Sequence, residues 1–296
     1  MGYQIPETSS TPNLGARSKN TETLPAGLII CKTGLSIDTY ANALLKATWD
    51  TNTKAAYPNR FLPTGACIRC TPQDKENVTM PSPFKGDQVV FWGKNSMMFE
   101  FDISDIAHAE WFKMNDRTDW SAFTFDDNDN IKGVSSDGIK FEPRKCLSLQ
   151  VLPRSTPAEG EKALTKVVVT FADTDLANRN PAIVNPTTWT PRELEPVHNI
   201  DLTISGTWTA TGGAFTASFR ESGSPVSGLA PADAGTNFAI AGKSITSITE
   251  SSTVPGLYVL VSTSLVTSTL TMVACASITG PVDKVENTTG MAFTIA

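Results

Sequence analysis

Between Asn180 and Val197 the chain reads NPAIVNPTTWTPRELEPV, with proline at 181, 186, 191 and 196. Each proline fixes its own φ, lacks an amide donor and biases the preceding residue toward extended geometry. Four such residues in eighteen exclude both a helix and a central strand. The stretch is therefore expected to be a semi-rigid extended connector. Composition changes across it. Residues 1–196 carry 45 charged side chains, whereas residues 197–296 carry nine, together with 30 Ser or Thr. The expected organisation is an extended arm over 1–27, a β-rich domain with one helix over 28–180, a linker over 181–196 and a second module over 197–296.

The totals set the class. A chain of 296 residues is long enough for two cores. With 40% hydrophobic and 18% charged residues it reads as globular. A net charge of −6 offers no basic surface, so specific nucleic-acid binding is not expected. No apolar run approaches the roughly 18–20 residues that span a membrane, and the N-terminus has neither the basic nor the apolar region of a secretory signal. The five cysteines (31, 67, 70, 146 and 275) are an odd number spread through a large chain, which suits intracellular synthesis with reduced thiols rather than a disulfide framework. The sequons at Asn77 and Asn287 are read as chance matches on the same ground.

Residues 1–26 are mostly Ser, Thr, Asn, Pro and charge, too polar to bury a core. They read either as a floppy terminus or as an arm ordered by a neighbouring subunit. Leu28–Cys31 is a short apolar run. After Gly34, Ile37, Tyr40/Ala41, Leu44/Leu45 and Thr48 recur at helical spacing with Ser36 as a cap, which predicts a helix from about Ile37 to the Asp50–Ala56 region. Five prolines between 57 and 88 predict a long, partly irregular loop. From Gln88 the period becomes two. Val89–Trp92, Met97–Ile103, Trp120–Phe125, Cys146–Leu152 and Lys166–Phe171 are expected strands of an antiparallel meander with the helix on one face, hence α+β.

Beyond the seam, Ile200/Leu202/Ile204/Trp208, Phe215/Ala217/Phe219, Leu257/Val259/Val261, Val266–Ile278 and Met291/Phe293/Ile295 keep an apolar parity. With Phe238–Ala241 and Lys243–Ile248 they make about seven short strands, the pattern of an all-β immunoglobulin-like (Ig-like) sandwich. The lone Cys275 rules out an antibody-type disulfide.

Few constellations carry chemistry. Cys67-Ile-Arg-Cys70 admits a redox or half-zinc reading. Yet it follows no βαβ pattern, and no second close pair completes a metal site, so incidental or structural thiols are the simpler reading. Asp126–Asn130 resembles the start of an EF-hand loop, but Ile131 stands where Gly is required, which favours a solvated hairpin turn. His108 and His198 are accompanied by no nucleophile-elbow sequence. No catalytic residue, cofactor site or metal site is assigned, and no enzyme is expected. Trp189, Trp208, Phe215 and Tyr258 offer a sugar-stacking alternative. The parity of Trp208 and Phe215 favours the core, whereas Tyr258, out of phase with Leu257 and Val259, is the candidate surface glycan contact.

As a whole the organisation resembles tailed-bacteriophage virion structural proteins, particularly tail-tube and tail-ring proteins with a C-terminal Ig-like domain. The stretches that carry it are Gly34–Ala43, Trp120–Gly138 and Ile245–Ile278. The resemblance implies a homo-oligomeric ring or tube made of copies of this chain and joined to other virion proteins. It also implies an outward Ig-like domain able to meet host-surface glycans, and a chain made in the host cytoplasm and incorporated in the virion. A head decoration or connector subunit and a carbohydrate-binding adhesin are the alternatives.

Overall fold

The computed structural model describes residues 23–74, 94–154, 157, 162–172, 180–230, 237–278 and 282–295, with the strands Tyr3–Gln4, Val78–Met80 and Gln88–Phe91. Most of the expected arm, Asn77 and Trp92 lie outside these residues. The chain forms two compact units, Met1–Thr53 with Pro58–Glu195, and Lys54–Tyr57 with Pro196–Ala296. Among the described residues both are built mostly of antiparallel strands.

Up to the seam the elements are β1 (Tyr3–Gln4), β2 (Pro25–Lys32), α1 (Tyr40–Ala43), α2 (Lys46–Lys54), β3 (Leu62–Ala66), β4 (Arg69–Pro72), β5 (Val78–Met80), β6 (Gln88–Phe91), β7 (Ser96–Phe101), α3 (Asp105–Phe112), β8 (Trp120–Asp126), β9 (Ile131–Val134), β10 (Arg144–Val151), β11 (Thr165–Phe171) and β12 (Pro181–Val184). The hub is β8. Along one edge it pairs with β2, which carries β3 beyond it. Its other edge is shared, with β9 at the Phe125 end and β10 at the Ser121 end. From β9 the sheet continues to β12 and β1; from β10 it continues to β11, β7 and β4. This order is no sequential meander, because β7 lies beyond β11 rather than beside β8.

Every residue of β8 is buried, as are the six inner residues of β2. A strand with both faces covered needs a continuous apolar run rather than alternation, and Ala26–Cys31 supplies it. Leu28, Ile30, Trp120 and Ala122 face a core shared with Phe99, Phe101, Val167 and Val169. Ile29, Cys31, Phe123 and Phe125 face another, with Trp49, Phe61, Phe141 and Trp189.

Several expectations change. The single helix from Ile37 is broken into α1 and α2. Ile37 is held extended by a two-way backbone bridge to Phe141 (2.9 Å each way), so Thr39 rather than Ser36 caps α1, its Oγ1 accepting from Asn42 N–H at 3.2 Å. Strand pairing overrides helical periodicity there. The helix α3, capped by Ser104, was not legible, for none of its residues is fully buried. The expected loop over 57–88 contains β3, β4 and β5. In β10 a register shift between Cys146 and Ser148 turns Leu147 outward while Leu149 and Val151 stay buried, the usual result of a bulge.

The largest correction concerns the seam. Pro181–Val184 is not a linker but β12, a strand with neighbours on both sides. Pro191 opens a 3-10 turn closed by a reciprocal Thr190–Glu193 capping box. Between them Trp189 is buried, its Nε1 donating to the Leu44 carbonyl at 2.7 Å. The prolines are tolerated because one begins a strand and another begins a turn, where a missing N–H costs little.

The second unit contains β13 (His198–Thr209), β14 (Gly212–Phe219), β15 (Phe238–Ile240), β16 (Ile245–Glu250), β17 (Leu257–Ser262), β18 (Ser268–Met272), β19 (Val285–Glu286) and β20 (Met291–Phe293). One sheet has the order β16-β17-β14-β13-β19 and the other β15-β18-β20. They share a core in which Phe215 meets Phe238 edge-on at 5.2 Å and Trp208 stacks on Phe293 at 4.3 Å. The alternation expected to run to Ile278 stops at Met272, after which Cys275–Ser277 forms a 3-10 turn.

Candidate functional site

Cys67 follows the last residue of β3, and Cys70 lies within β4 at the end of the sheet. Both thiols are half-buried against the core shared by β7, β10 and β11. Burial pushes Cys67 up to about 11 and Cys70 up to about 12. A reactive cysteine needs the opposite shift, toward thiolate. The arrangement gives two neutral packing thiols. Among the described residues no group of three or more His, Cys, Asp or Glu converges as a metal-binding cluster.

The acidic hairpin is also structural. Asp126 is fully buried, contrary to a solvated turn. Its Oδ1 accepts from the N–H groups of Asn128 and Asn130 at 3.0 Å each, and the Asn130 amide reaches both carboxylate oxygens at 3.1 Å. Lys132 stands 3.6 Å from Oδ2. Asp129 takes the left-handed conformation (φ 60°) that closes the loop, a conformation Asp tolerates. Asn185, just past β12, donates to Asn128 O and Asn130 Oδ1 at 3.1 and 2.9 Å. The carboxylate is the centre of a turn, with its oxygens committed to loop donors.

His108 Nδ1 lies 3.0 Å from the Thr165 hydroxyl, and His198 Nδ1 lies 2.5 Å from Glu221 Oε1.

Tyr258 is not on the surface. It is fully buried, stacked on Phe215 at 5.4 Å, while Val259 and Val261 are the exposed residues of β17. Its hydroxyl donates to the Val226 carbonyl at 2.7 Å and accepts from Leu229 N–H at 3.2 Å. Burial, chiefly, pushes its pKa up to about 12. Trp189, Trp208 and Phe215 are buried as well. None of the four can stack on a sugar.

Tyr258 belongs to a clasp on the segment between β14 and β15. Glu250 accepts there from Gly228 N–H at 2.7 Å and, more loosely, from Gly256 N–H at 3.4 Å. Burial alone would raise the Glu250 pKa, but these N–H donors and the Ser227 hydroxyl outweigh it and hold it below the ordinary glutamate value. The unfolded chain therefore takes up the proton first. Glu250 contributes stability above the ordinary glutamate range, and that contribution is lost as pH falls through the lowered folded value. Thermal melts of wild type and Glu250→Gln as a function of pH should converge on acidification through this window. Curves that stay parallel would remove Glu250 from the clasp.

One concave site was not legible in the sequence. A cleft of about 220 Å³ opens beside the start of β10, lined among others by Thr33, Ser36, Ser121, Lys140, Arg144 and Lys145. Gly34, left-handed at φ 96°, turns the chain at the cleft wall after β2. The Arg144 guanidinium lies 3.9 Å from the Phe171 ring centroid, and its Nη1 donates to Asn95 Oδ1 at 3.3 Å. Its Nε is buried without an acceptor, and burial lowers its pKa. Glu142, the cleft's one carboxylate, accepts from Ser136 N–H at 3.0 Å and from Ser136 Oγ at 2.9 Å. Lys145 shares the cleft face with Ser121, its partner across the β8–β10 pairing, whereas the Arg144 side chain lies on the opposite face of the sheet with Ala122, Cys146 and Phe171. Nothing in the spacing of these residues announces the cleft.

Compared with protein-family models and with curated proteins, the chain matches none.

Proposed function

We propose that the chain is a structural subunit of a tailed-phage virion, self-assembling into a tail ring or tube and displaying its second unit as an Ig-like domain. The observation that carries this reading is the strand order of the second unit. Lettering its strands in sequence, β13, β14, β15, β16, β17, β18 and β20 become A to G. The sheets then read D-E-B-A and C-F-G, an order that supports an immunoglobulin-like reading. The short β19 adds a parallel pairing to β13 at the A edge.

The first unit supports the same reading in two ways. The convergent candidates of the sequence, the cysteine pair and the acidic hairpin, are packing and turn elements rather than reactive groups. In addition, an N-terminal strand of two residues, Tyr3–Gln4, occupies the β12 edge. A sheet edge covered by a strand of only two residues is suited to pairing between copies as well as within one. The net charge of −6 suits a lumen that does not retain nucleic acid.

Negative-stain microscopy of the purified full chain, with light scattering across a concentration series, tests the proposal. Rings or tubes are the expected result. A monomer that persists at high concentration, alone and with other virion proteins supplied, would overturn it.

A further inference from the structure

We propose that β16 is an interface whose free edge pairs antiparallel with β16 of a second copy, about a two-fold axis through Ile248. The assignment concerns the second unit alone and does not depend on the virion reading.

β16 ends its five-stranded sheet with β17 as its neighbour, whereas the opposite edge carries β19. Ser251 N–H donates to the Leu257 carbonyl at 2.8 Å, one step past the Glu250–Tyr258 pair. Bonded residues alternate along an antiparallel ladder, so Ser247, Thr249 and Ser251 turn their amides and carbonyls toward β17. On the far side of β17, Ser262 N–H donates to the Thr211 carbonyl at 3.0 Å, which agrees with this phase. Ile248 and Glu250 therefore turn theirs away from the sheet, and no described backbone group meets them. Such a row is a template for another strand.

The edge also lacks the usual protection. Strands left open in monomeric proteins commonly carry lysine, proline or an inward charge. Ile245–Thr249 reads ITSIT, with neither charge nor proline. Glu250 at its end is turned to its own unit, where its carboxylate accepts from Gly228 and Gly256 N–H. The register shift between Ile245 and Ser247 leaves Ser247–Glu250 as the regular stretch.

Self-complementarity selects a second copy as the occupant. With the axis at Ile248, that residue meets its own copy in a hydrogen-bonded pair, its side chain on the core face. Ser247 then meets Thr249 of the copy in a non-hydrogen-bonded pair, where side chains approach most closely. Both lie on the outer face with their exposed β17 partners, Val261 and Val259. Across the axis the outer face continues from Val261 and Ser247 to Thr249 and Val259 of the copy, hydroxyl beside hydroxyl with no like charges opposed. A slip of one residue would set Ile248 against Ser247 or Thr249, whose backbone groups are already bonded to β17.

The test is cross-linking between two full-length variants, Ser247→Cys and Thr249→Cys, mixed and oxidised mildly with glutathione disulfide. Across the axis these positions stand about 4.5 Å apart at Cα, within reach of a disulfide, so the mixture should yield a dimer holding one of each chain. Either variant alone sets its new thiols on a diagonal of about 7–8 Å, out of reach, and should show only the wild-type background. Separately, Thr249→Lys places a charge on this exposed position and should lower the mass seen by sedimentation about twofold, through loss of the two-fold contact, with the circular dichroism spectrum unchanged. No cross-link above background in the mixture, equal cross-linking by either variant alone, or an unchanged mass for Thr249→Lys would overturn the proposal.

Discussion

Trp49→Ala is expected to cost about 3–5 kcal/mol, the range for removing a large buried aromatic. Trp49 is wholly buried at the centre of an aromatic cluster, with Phe123 at 5.2 Å, Phe61 at 5.8 Å, and Phe141 and Trp189 at 6.3 Å each. Its indole N–H also donates to the Ala43 carbonyl at 2.8 Å, bridging the break between α1 and α2. Truncation leaves a cavity bounded by rings that belong to different elements and cannot all move in, and it leaves that carbonyl without its donor. Because whole domains are stable by only about 5–15 kcal/mol, the first unit should become marginal. Urea denaturation followed by near-ultraviolet dichroism reads the shift. A loss below about 1 kcal/mol would be the size of a surface change and would refute the packing described.

Tyr258 provides the second large effect. Tyr258→Ala removes a buried ring, worth about 3–5 kcal/mol by the same cavity argument, and strands the Val226 carbonyl and Leu229 N–H. Tyr258→Phe keeps the ring and isolates those two hydrogen bonds, with an expected loss of about 1–3 kcal/mol. The ordering matters more than either value. If the phenol were a surface contact, both variants would leave stability unchanged, and denaturation midpoints distinguish the cases directly. A stable Tyr258→Ala protein would show that β17 presents its other face to the core.

That residue also marks where the sequence stops being informative. In Leu257–Val261 every position is apolar or aromatic, so alternation defines a strand without choosing its inner face. Taking Leu257, Val259 and Val261 as the inner face put Tyr258 outside, but the parity is reversed, and Val226 O and Leu229 N–H satisfy the buried phenol. Leu28–Cys31 was readable as an apolar run and Trp120–Phe125 as a strand, but that Ser121 and Thr124 are buried with their apolar neighbours follows only from the strands packed over both faces. Ile37 misled because its helical spacing says nothing of the Phe141 backbone waiting across from it. Leu147 shows that parity survives only until a bulge. The prolines were read for what they forbid, whereas Pro181 and Pro191 occupy the positions where nothing is forbidden. The cleft beside the start of β10 was invisible for a simpler reason, since Thr33, Ser121 and Lys145 become neighbours only through the pairing of β8 with β2 and β10.

The incorporation of Pro181–Val184 as an interior strand has a consequence for biosynthesis. On a ribosome, the edge of β9 and the pocket that receives Trp189 remain open until the chain has been made well past residue 189, although most of the first unit has already emerged. The N-terminal Tyr3–Gln4 has no strand to pair with until then, which makes this one of the longest-range closures in the fold and among the slowest to form. A chain ended at residue 180 would lack both the strand and the indole, leaving an unpaired edge and a defect beside Trp49. The first unit thus becomes a finished body only when translation reaches the start of the second, which couples the completion of one to the synthesis of the other.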